Sequence, residues 1–428
     1  MITRATLPRN QKLLMEKSMR AAEAEAVIGA SAVNVVLDIA AASSRVGQIA
    51  ALVATATAAR AFGSVGFVCP DVLLRVRGAT SNLRQELATN GATFGTVNGP
   101  TIFVTASAPS CAEDDVRVLL HRGLGGFVPA DVPASFDVEG FAPAAILGAS
   151  LAVTAIFVRR VLREPDDGRS HAFEMLPADY TGPVADLDAA LPAHLAFLGI
   201  GHLGQASLFC ASLLGSLDGY RRYDMLDDQE IDPANYSTQL LVSKKQVGLK
   251  TSACVSWLAA RGIGGAAMNQ RLVAGVRESA PSAPIFLAGF DDGEGRRALD
   301  VLLPALVVEM GIGGRVADFT AFRIHVFPQS RLPSEIFYEL PEDLETSRAR
   351  ARERTAFGDL ATTPEERCGM IDAADAASGA PFVGTAVAAI ALSQVIRFAA
   401  GLPRDDVVVG DLRTSGVGDA FVGTAASP

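Results

Sequence analysis

A glycine-rich turn between an apolar strand and an apolar helix constrains this chain more than any other feature. The apolar run Leu195–Leu198 leads into Gly199-Ile-Gly201-His-Leu-Gly204, and an apolar helical pattern follows from Ala206 to Leu217. In doubly wound α/β folds a strand, a tight glycine turn and a helix in this order present backbone N–H groups to a phosphate. The turn therefore predicts an α/β fold with a nucleotide bound beside residues 199–204.

A second apolar run, Tyr223–Leu226, ends on Asp227. A carboxylate at the end of the second strand can accept a hydrogen bond from a ribose hydroxyl. Up to this residue, a dinucleotide-binding dehydrogenase explains the pattern as well as any other nucleotide-binding protein does.

The residues after Asp227 favour a different class. Asn235, Gln239 and Lys250 follow in an order and spacing that resemble the ThiF/MoeB/ubiquitin-activating adenylation family. That family has Asn-x-x-Arg-Gln and then a lysine after the aspartate. Thr238 stands where the family has its phosphate-binding arginine, whereas no residue after Asp227 suggests a hydride-transfer site.

The resemblance implies an enzyme that binds ATP and Mg²⁺ and adenylates the C-terminal carboxylate of a ubiquitin-like protein. Lys250 would face the phosphates, and Asp291, after the apolar strand Phe286–Phe290, would be the catalytic carboxylate and the Mg²⁺ ligand. The residues that the resemblance assigns to the nucleotide are Gly199, Gly201, Gly204, Asp227, Asn235, Gln239, Lys250 and Asp291.

Two further roles follow from the resemblance. Cys368 lies where the family often places a nucleophilic cysteine, which would take the acyl group from the adenylate as a thioester; the alternative is a small buried residue. Lys244, Lys245 or the N-terminal Arg9 could supply the charge that Thr238 lacks. If none does, the active half is a pseudoenzyme.

The chain also contains a degenerate internal repeat, carried by three pairs of segments in the same order. Ser44-Arg-Val-Gly-Gln48 aligns with Gly201-His-Leu-Gly-Gln205, and Ala42 and Ser44 occupy the positions of Gly199 and Gly201. The other pairs are Pro100–Thr105 with Pro284–Ala288 and Ser150–Arg159 with Ala389–Arg397. The repeat and the resemblance together predict two tandem Rossmann-like, ThiF-type adenylation domains in a pseudo-two-fold arrangement, the first degenerate.

This arrangement is similar to bacterial two-half activating enzymes of ubiquitin-like conjugation systems, some of which belong to antiphage defence. The predicted divisions are a degenerate domain at 1–165, a linker at 166–190 that is rich in Pro, Gly and Asp, and an active-type domain at 191–428. A charged stretch at 329–370 is predicted to be an insertion in the second domain.

Composition excludes several partners. A net charge of −10 disfavours nucleic acid. The most apolar stretches, Phe141–Leu162 and Gly379–Ala399, are rich in Ala, Gly, Ser and Thr, which favours buried core helices over membrane spans. Five scattered cysteines without CxxC spacing, and no apolar leader after Met1, indicate a reducing cytoplasm without structural zinc.

Three questions stay open at the level of sequence. The substrate could be a sulfur carrier or a peptide terminus instead of a ubiquitin-like protein, or the chain could be a catalytically weak nucleotide-binding scaffold. A conjugating enzyme is a possible partner, and the chain could form a homodimer.

Overall fold

The protein contains two seven-stranded sheets with the same strand order. The computed structural model describes residues 7–17, 19–105, 111–164, 170–185, 187–303, 305–338 and 378–414 of the 428-residue chain. The first sheet has the order β3-β2-β1-β4-β5-β6-β7 and consists of β1 Ala32–Leu37, β2 Ser64–Val68, β3 Thr93–Phe94, β4 Thr101–Val104, β5 Val116–His121, β6 Leu124–Pro129 and β7 His171–Glu174. The second has the order β10-β9-β8-β11-β12-β13-β14 and consists of β8 His194–Leu198, β9 Arg222–Leu226, β10 Ala267–Met268, β11 Ile285–Ala288, β12 Leu306–Ile312, β13 Ala321–Phe327 and β14 Val407–Asp411.

In each sheet the first five strands pair in parallel, and the last two pairings, of the fifth strand with the sixth and of the sixth with the seventh, are antiparallel. The α-helices of the described residues are α1 Arg9–Met15, α2 Ala21–Ala30, α3 Ile39–Ser43, α4 Arg45–Ala61, α5 Leu83–Thr89, α6 Ala142–Arg160, α7 His202–Leu213, α8 Lys250–Ala259, α9 Gly293–Arg297, α10 Pro333–Ile336 and α11 Pro381–Ala399. Short 3₁₀ helices span Leu187–Ala190, Pro233–Ser237, Arg277–Ser279 and Ala298–Leu302.

The central strands are apolar at nearly every position, and each of their two faces packs into a hydrophobic core. In β8, Leu195 and Phe197 pack into the large core with α7, whereas Ala196 and Leu198 pack into a second core with Phe286. A parallel strand buried on both faces is apolar at nearly every position instead of alternating. The apolar run before Gly199 therefore forms the strand that the sequence predicts.

The two halves pack through α6 and α11. Ser150 and Thr385 share a hydrogen bond of 2.7 Å across this interface, and the rings of Phe157 and Phe382 lie 5.2 Å apart. Both helices have the length and hydropathy of a membrane span, but 94% and 89% of their most apolar windows are buried inside the protein. The prediction of core helices is confirmed.

The repeat is confirmed by the equivalent positions of its members. The first aligned pair begins α4 and α7, the second forms β4 and β11, and the third lies in α6 and α11. β4 pairs with β1 in the first sheet as β11 pairs with β8 in the second. The predicted fold, two tandem Rossmann-like α/β units, is therefore the observed one.

The structure adds two features that the repeat alone does not show. Residues 38–44, between β1 and α4, contain the helix α3, whereas only residues 199–201 connect β8 to α7. Strand β7 lies inside the predicted linker 166–190 and extends the first sheet, as β14 extends the second. Most of the predicted insertion 329–370, from residue 339 onward, lies outside the described residues, and the division into domains at the stated boundaries stays a prediction.

Candidate functional site

A cavity of about 740 Å³ lies at the carboxyl ends of β8 and β11. The strand order reverses between these two strands, and such switch points are where open α/β sheets bind ligands. Every residue that the sequence assigns to the nucleotide lines this cavity except Gly204. The structure thus brings these residues together, while their contact with a nucleotide stays a prediction.

The three glycines of the turn have different structural roles. Gly199 has a φ of +76°, and a Cβ at Gly204 would lie 2.0 Å from the carbonyl oxygen of Gly199. Gly204 is therefore needed for close packing of α7 on the turn, not for lining the cavity. No described atom lies within 4 Å of a Cβ built on Gly201, so this position faces open space beside the first turn of α7.

Asp227 is fixed by the backbone around it. Its carboxylate accepts hydrogen bonds from the N–H groups of Ile200, at 2.6 Å, and Gln229, at 2.7 Å. Burial raises the pKa of Asp227 above its ordinary value, and the charge of Lys250 opposes that rise. The side chain is positioned at the end of β9, where a ribose hydroxyl acceptor is expected.

Lys250 is the first residue of α8, and only 5% of it is exposed. Its ammonium group donates to the side-chain oxygen of Gln229, and its backbone N–H donates to the Gln229 carbonyl at 3.1 Å. Gln229 lies two residues after Asp227, so one short loop orients both the acid and the lysine. This contact gives the buried ammonium group a hydrogen-bond partner at the wall of the cavity.

Asn235 and Gln239 lie in and just after the 3₁₀ helix Pro233–Ser237. The Asn235 side-chain oxygen accepts from the N–H of Asp232 at 2.9 Å, and that of Gln239 accepts from Gln205 at 2.7 Å. Gln205 also accepts from the N–H of Leu241 at 3.0 Å. The glutamine that follows Gly204 therefore ties this segment to the glycine turn.

Arg9 comes from the first half of the chain and lines the same cavity. Its N–H donates to the hydroxyl of Ser237 at 2.8 Å, next to Thr238, and its carbonyl accepts from Gly379 at 3.3 Å. The structure therefore brings Arg9 to the position at which the family arginine is missing. Lys244 and Lys245 are exposed, and neither is among the described residues that line the cavity.

Asp291 and Asp292 stand at the mouth of the cavity, after β11. Both are exposed, and Asp292 also caps α9 by accepting from the N–H of Gly295 at 2.6 Å. Within the described part of the chain, no group of three His, Cys, Asp or Glu side chains is arranged to hold a metal ion. The donors fit Mg²⁺ only in combination with a nucleotide, since Mg²⁺ commonly takes one or two carboxylates together with phosphate oxygens.

Arg296 contacts both the rim of the cavity and the core of the second sheet. Its Nε donates to the carbonyl of Phe290 at 3.1 Å and lies 3.0 Å from a carboxylate oxygen of Glu309. Burial raises the pKa of Glu309 to about 7, against the opposing charges of Arg296 and Arg323. The buried carboxylate thus holds the arginine that stands five residues after Asp291.

His202 belongs to the wall of the cavity and packs against α11. A Cβ at Gly384 would lie 2.6 Å from its Nε2, so Gly384 leaves room for the ring. Burial lowers the pKa of His202 to about 4. The imidazole is therefore neutral near pH 7, as expected of a packing residue.

Four of the five cysteines lie among the described residues. Cys210 and Cys254 are buried, as the sequence predicts for core residues, and burial raises the pKa of both thiols. Cys368 lies outside the described residues. Its role as a nucleophile stays a prediction from sequence.

Sequence reasoning missed Gln229, Arg271 and Asp228. Arg271 follows β10, lines the cavity and pairs with Asp228 at 2.9 Å. Gln229 and Asp228 directly follow Asp227 and could have been found from that adjacency. Arg271 could not, because a two-residue strand gives almost no signal in a sequence.

The fold defines a tandem Rossmann-like α/β protein, whose second half has an open glycine turn at its switch point. Residues 32–175 match the family described as the BilD N-terminal domain, and residues 191–402 match the BilD C-terminal domain. Both halves of the chain therefore belong to the BilD family.

A curated relative and several solved structures are similar to this chain. The bacterial E1-like protein BilD from Collimonas sp. (strain OK412) is 30% identical over 242 residues, which are 56% of this chain. The match spans about half of that relative, 51% of its length.

The solved structures are more distant. E. coli MccB in complex with AMPCPP and MccA is 12% identical, with 72% of this chain and 96% of that chain covered at a TM-score of 0.38. PaaA is 15% identical, with 54% of this chain and 66% of that chain covered at a TM-score of 0.35.

Proposed function

We propose that the protein is an ATP-dependent activating enzyme that adenylates the C-terminal carboxylate of a ubiquitin-like protein. One observation carries the proposal: a single cavity at the switch point of the second sheet collects the open glycine turn, Asp227, Lys250 and Asp291, and receives Arg9 from the first half. The homology to an E1-like protein in both halves supports the same reading.

In the proposed reaction, a carboxylate oxygen of the substrate attacks the α-phosphorus of ATP. The bond between the α-phosphorus and the bridging oxygen breaks, and pyrophosphate leaves with the electron pair. Such a step needs alignment and charge neutralisation more than covalent help. The first-turn N–H groups of α7 would hold a phosphate, Asp227 the ribose, and Lys250 and Arg9 the developing negative charge.

Arg9 would do the work of the arginine that Thr238 replaces. The Ser237 hydroxyl holds the backbone of Arg9 beside position 238, and the guanidinium would enter the site from the other half of the same chain. Because the charge comes from the first half, that half would be required for catalysis even without a nucleotide site of its own.

Mg²⁺ would bind at Asp291 once a nucleotide supplies phosphate oxygens. When bound, the ion would neutralise phosphate charge. Asp291 would orient it from the carboxyl end of β11, and Asp292 could add a second oxygen from the first turn of α9.

A thioester at Cys368 is the second proposed step. The Cys368 thiolate would attack the acyl-adenylate carbonyl, forming a C–S bond while the bond to the AMP oxygen breaks. We expect Cys368→Ala to abolish a protein–substrate adduct that free thiols cleave by acyl transfer, while ATP–pyrophosphate exchange continues. Cys111→Ala is the matched control, since Cys111 is partly exposed; an adduct that survives in Cys368→Ala would contradict this step.

The test of the first step is ATP–pyrophosphate exchange with candidate partners that end in glycine. The proposal predicts exchange that depends on the partner and is lost in Lys250→Met. Nucleotide binding without exchange, with every partner tried, would instead indicate a scaffold, for which Thr238 is the structural argument. A conjugating-enzyme partner and self-association stay predictions.

A further inference from the structure

The segment 235–242 carries Asn235, Thr238 and Gln239 to the cavity, and part of what holds it comes from the first half of the chain. Arg9 donates to Ser237 from α1, and Arg60 reaches the same segment from the last turn of α4. A loop that contacts a ligand must be fixed by its surroundings, so the residues that fix it affect binding without touching the ligand.

Arg60 donates hydrogen bonds to the carbonyl groups of two residues that are two positions apart in this segment. Its Nη2 donates to the carbonyl of Leu240 at 3.1 Å and to that of Val242 at 3.0 Å. The guanidinium lies over the ring of Tyr236, with its central carbon 3.9 Å from the ring centroid. A planar, charged guanidinium fork that donates to two carbonyls from one of its terminal nitrogens and stacks on an aromatic ring fixes both the position and the direction of a loop.

The same segment is held from the opposite side by its own half. Gln205, directly after the glycine turn, accepts from the N–H of Leu241 and donates to Gln239. Leu241 lies between the two residues that Arg60 binds. Contacts from both halves therefore meet on residues 239–242.

We propose that Arg60 is a positioning residue of the candidate nucleotide site, through which the degenerate first half fixes the segment that carries Asn235 and Gln239. This inference rests on the proposed nucleotide site, and it gives the first half a second contribution besides Arg9. Burial lowers the pKa of Arg60 from its ordinary value, but the group keeps its charge at neutral pH.

The chain offers a matched control at Arg77. This first-half arginine also binds two alternate carbonyls of the second half, those of Leu217 and Gly219, each at 2.7 Å. Residues 217–219 lie before β9, at the amino ends of the strands, and are not among the described residues that line the cavity. Arg60→Met and Arg77→Met therefore remove the same kind of contact between the halves at different distances from the site.

The first experiment is amide hydrogen exchange of the full chain without nucleotide. We expect Arg60→Met to speed exchange within residues 235–242, and Arg77→Met to leave that segment unchanged while it speeds exchange near residues 217–219. Equal effects of both variants on 235–242, or no effect of Arg60→Met there, would overturn the proposal. Arg60→Lys, which keeps the charge but lacks the fork, should show a smaller increase and serves if Arg60→Met does not fold.

The second experiment is equilibrium binding of MgATP to the same proteins. Arg60→Met should weaken binding about tenfold, since a small displacement of positioning residues has large effects, whereas Arg77→Met should stay within about twofold. Faster exchange at 235–242 with unchanged MgATP affinity would overturn the positioning role. If the unaltered protein binds no MgATP, the proposed function fails, and the exchange experiment still decides whether Arg60 fixes the segment.

Discussion

The connection from the first strand of each sheet to the following long helix differs between the two halves. It spans residues 38–44 in the first half and residues 199–201 in the second, and the helix after it begins in a different way. Ser44 caps α4 by accepting from the N–H of Gly47 at 3.0 Å, and α3 fills the space before it. Gly201, the aligned residue, has no side chain with which to cap α7. Free N–H groups at a helix N-terminus bind anions, so the second half is where we propose the phosphate site.

The comparison shows that the two halves share one sheet topology although their glycine turns differ. Gly47 and Gly204 pack in the same way, since a Cβ would lie 2.1 Å from the Ala41 carbonyl oxygen in one and 2.0 Å from that of Gly199 in the other. The glycine that the fold requires is retained in both halves. The glycine that leaves open space, Gly201, has no glycine counterpart.

Lys250→Met should give the largest effect. Removing the buried ammonium group from the second half is expected to lower ATP–pyrophosphate exchange by ~10²–10³-fold, by analogy with other preorganised charge donors. Lys245→Met is the control, because that exposed lysine is not among the described residues lining the cavity. Equal losses in both variants would contradict the assigned site.

Glu309→Gln tests a second difference between the halves. From the strand pairing, Glu309 occupies the position that Leu119 has in the first sheet. Because burial raises its pKa in the folded protein from 4.5 to about 7, its stabilising contribution is present below pH 4.5 and is lost as pH rises through 7.

The wild-type free energy of unfolding should therefore fall relative to that of Glu309→Gln between pH 4.5 and 8, by about 3 kcal/mol. Urea unfolding of both proteins at each pH measures this difference. Glu25→Gln, an exposed change on α2, should show no such trend. A difference that does not vary with pH would show that Glu309 has an ordinary pKa.

Gly384→Ala tests the packing that distinguishes His202 from its counterpart. Arg45, aligned with His202, turns instead toward Asp188 and pairs with it at 2.7 Å, and Ala145 stands where the second half has Gly384. A methyl group at 384 should cost about 1–3 kcal/mol of stability by overpacking against the imidazole. Chemical unfolding measures the loss, and His202→Ala in the same chain should recover most of it; a loss that persists would point to the helix itself.

Ser44→Ala should have the smallest effect and should be confined to stability. Losing this helix cap is expected to cost about 1 kcal/mol, whereas Gly201→Ala should cost less than that, since no side-chain cap is lost there and its Cβ meets open space. Thermal unfolding of the two variants checks the contrast. A larger loss in Gly201→Ala would mean that this glycine serves the fold.

Much of the difference between the two halves can be predicted from the sequence, because the residues that indicate it lie near one another along the chain. The turn after β8, Asp227 and Lys250 follow one another along one unit of the fold, and the aligned Gln48 and Gln205 mark the repeat. Helix α3 was missed because its alanines continue the pattern of α4. Strand β7 was missed because four edge residues between polar segments look like a linker, and the Arg60 contact joins residues 180 positions apart.

The most direct test of the central claim is the number of MgATP molecules that one chain binds, measured by calorimetric titration. We predict one nucleotide per chain, with binding lost in Gly201→Val and retained in Ser44→Ala. Two nucleotides per chain, or binding that persists unchanged in Gly201→Val, would contradict the assignment of the site to the second glycine turn alone.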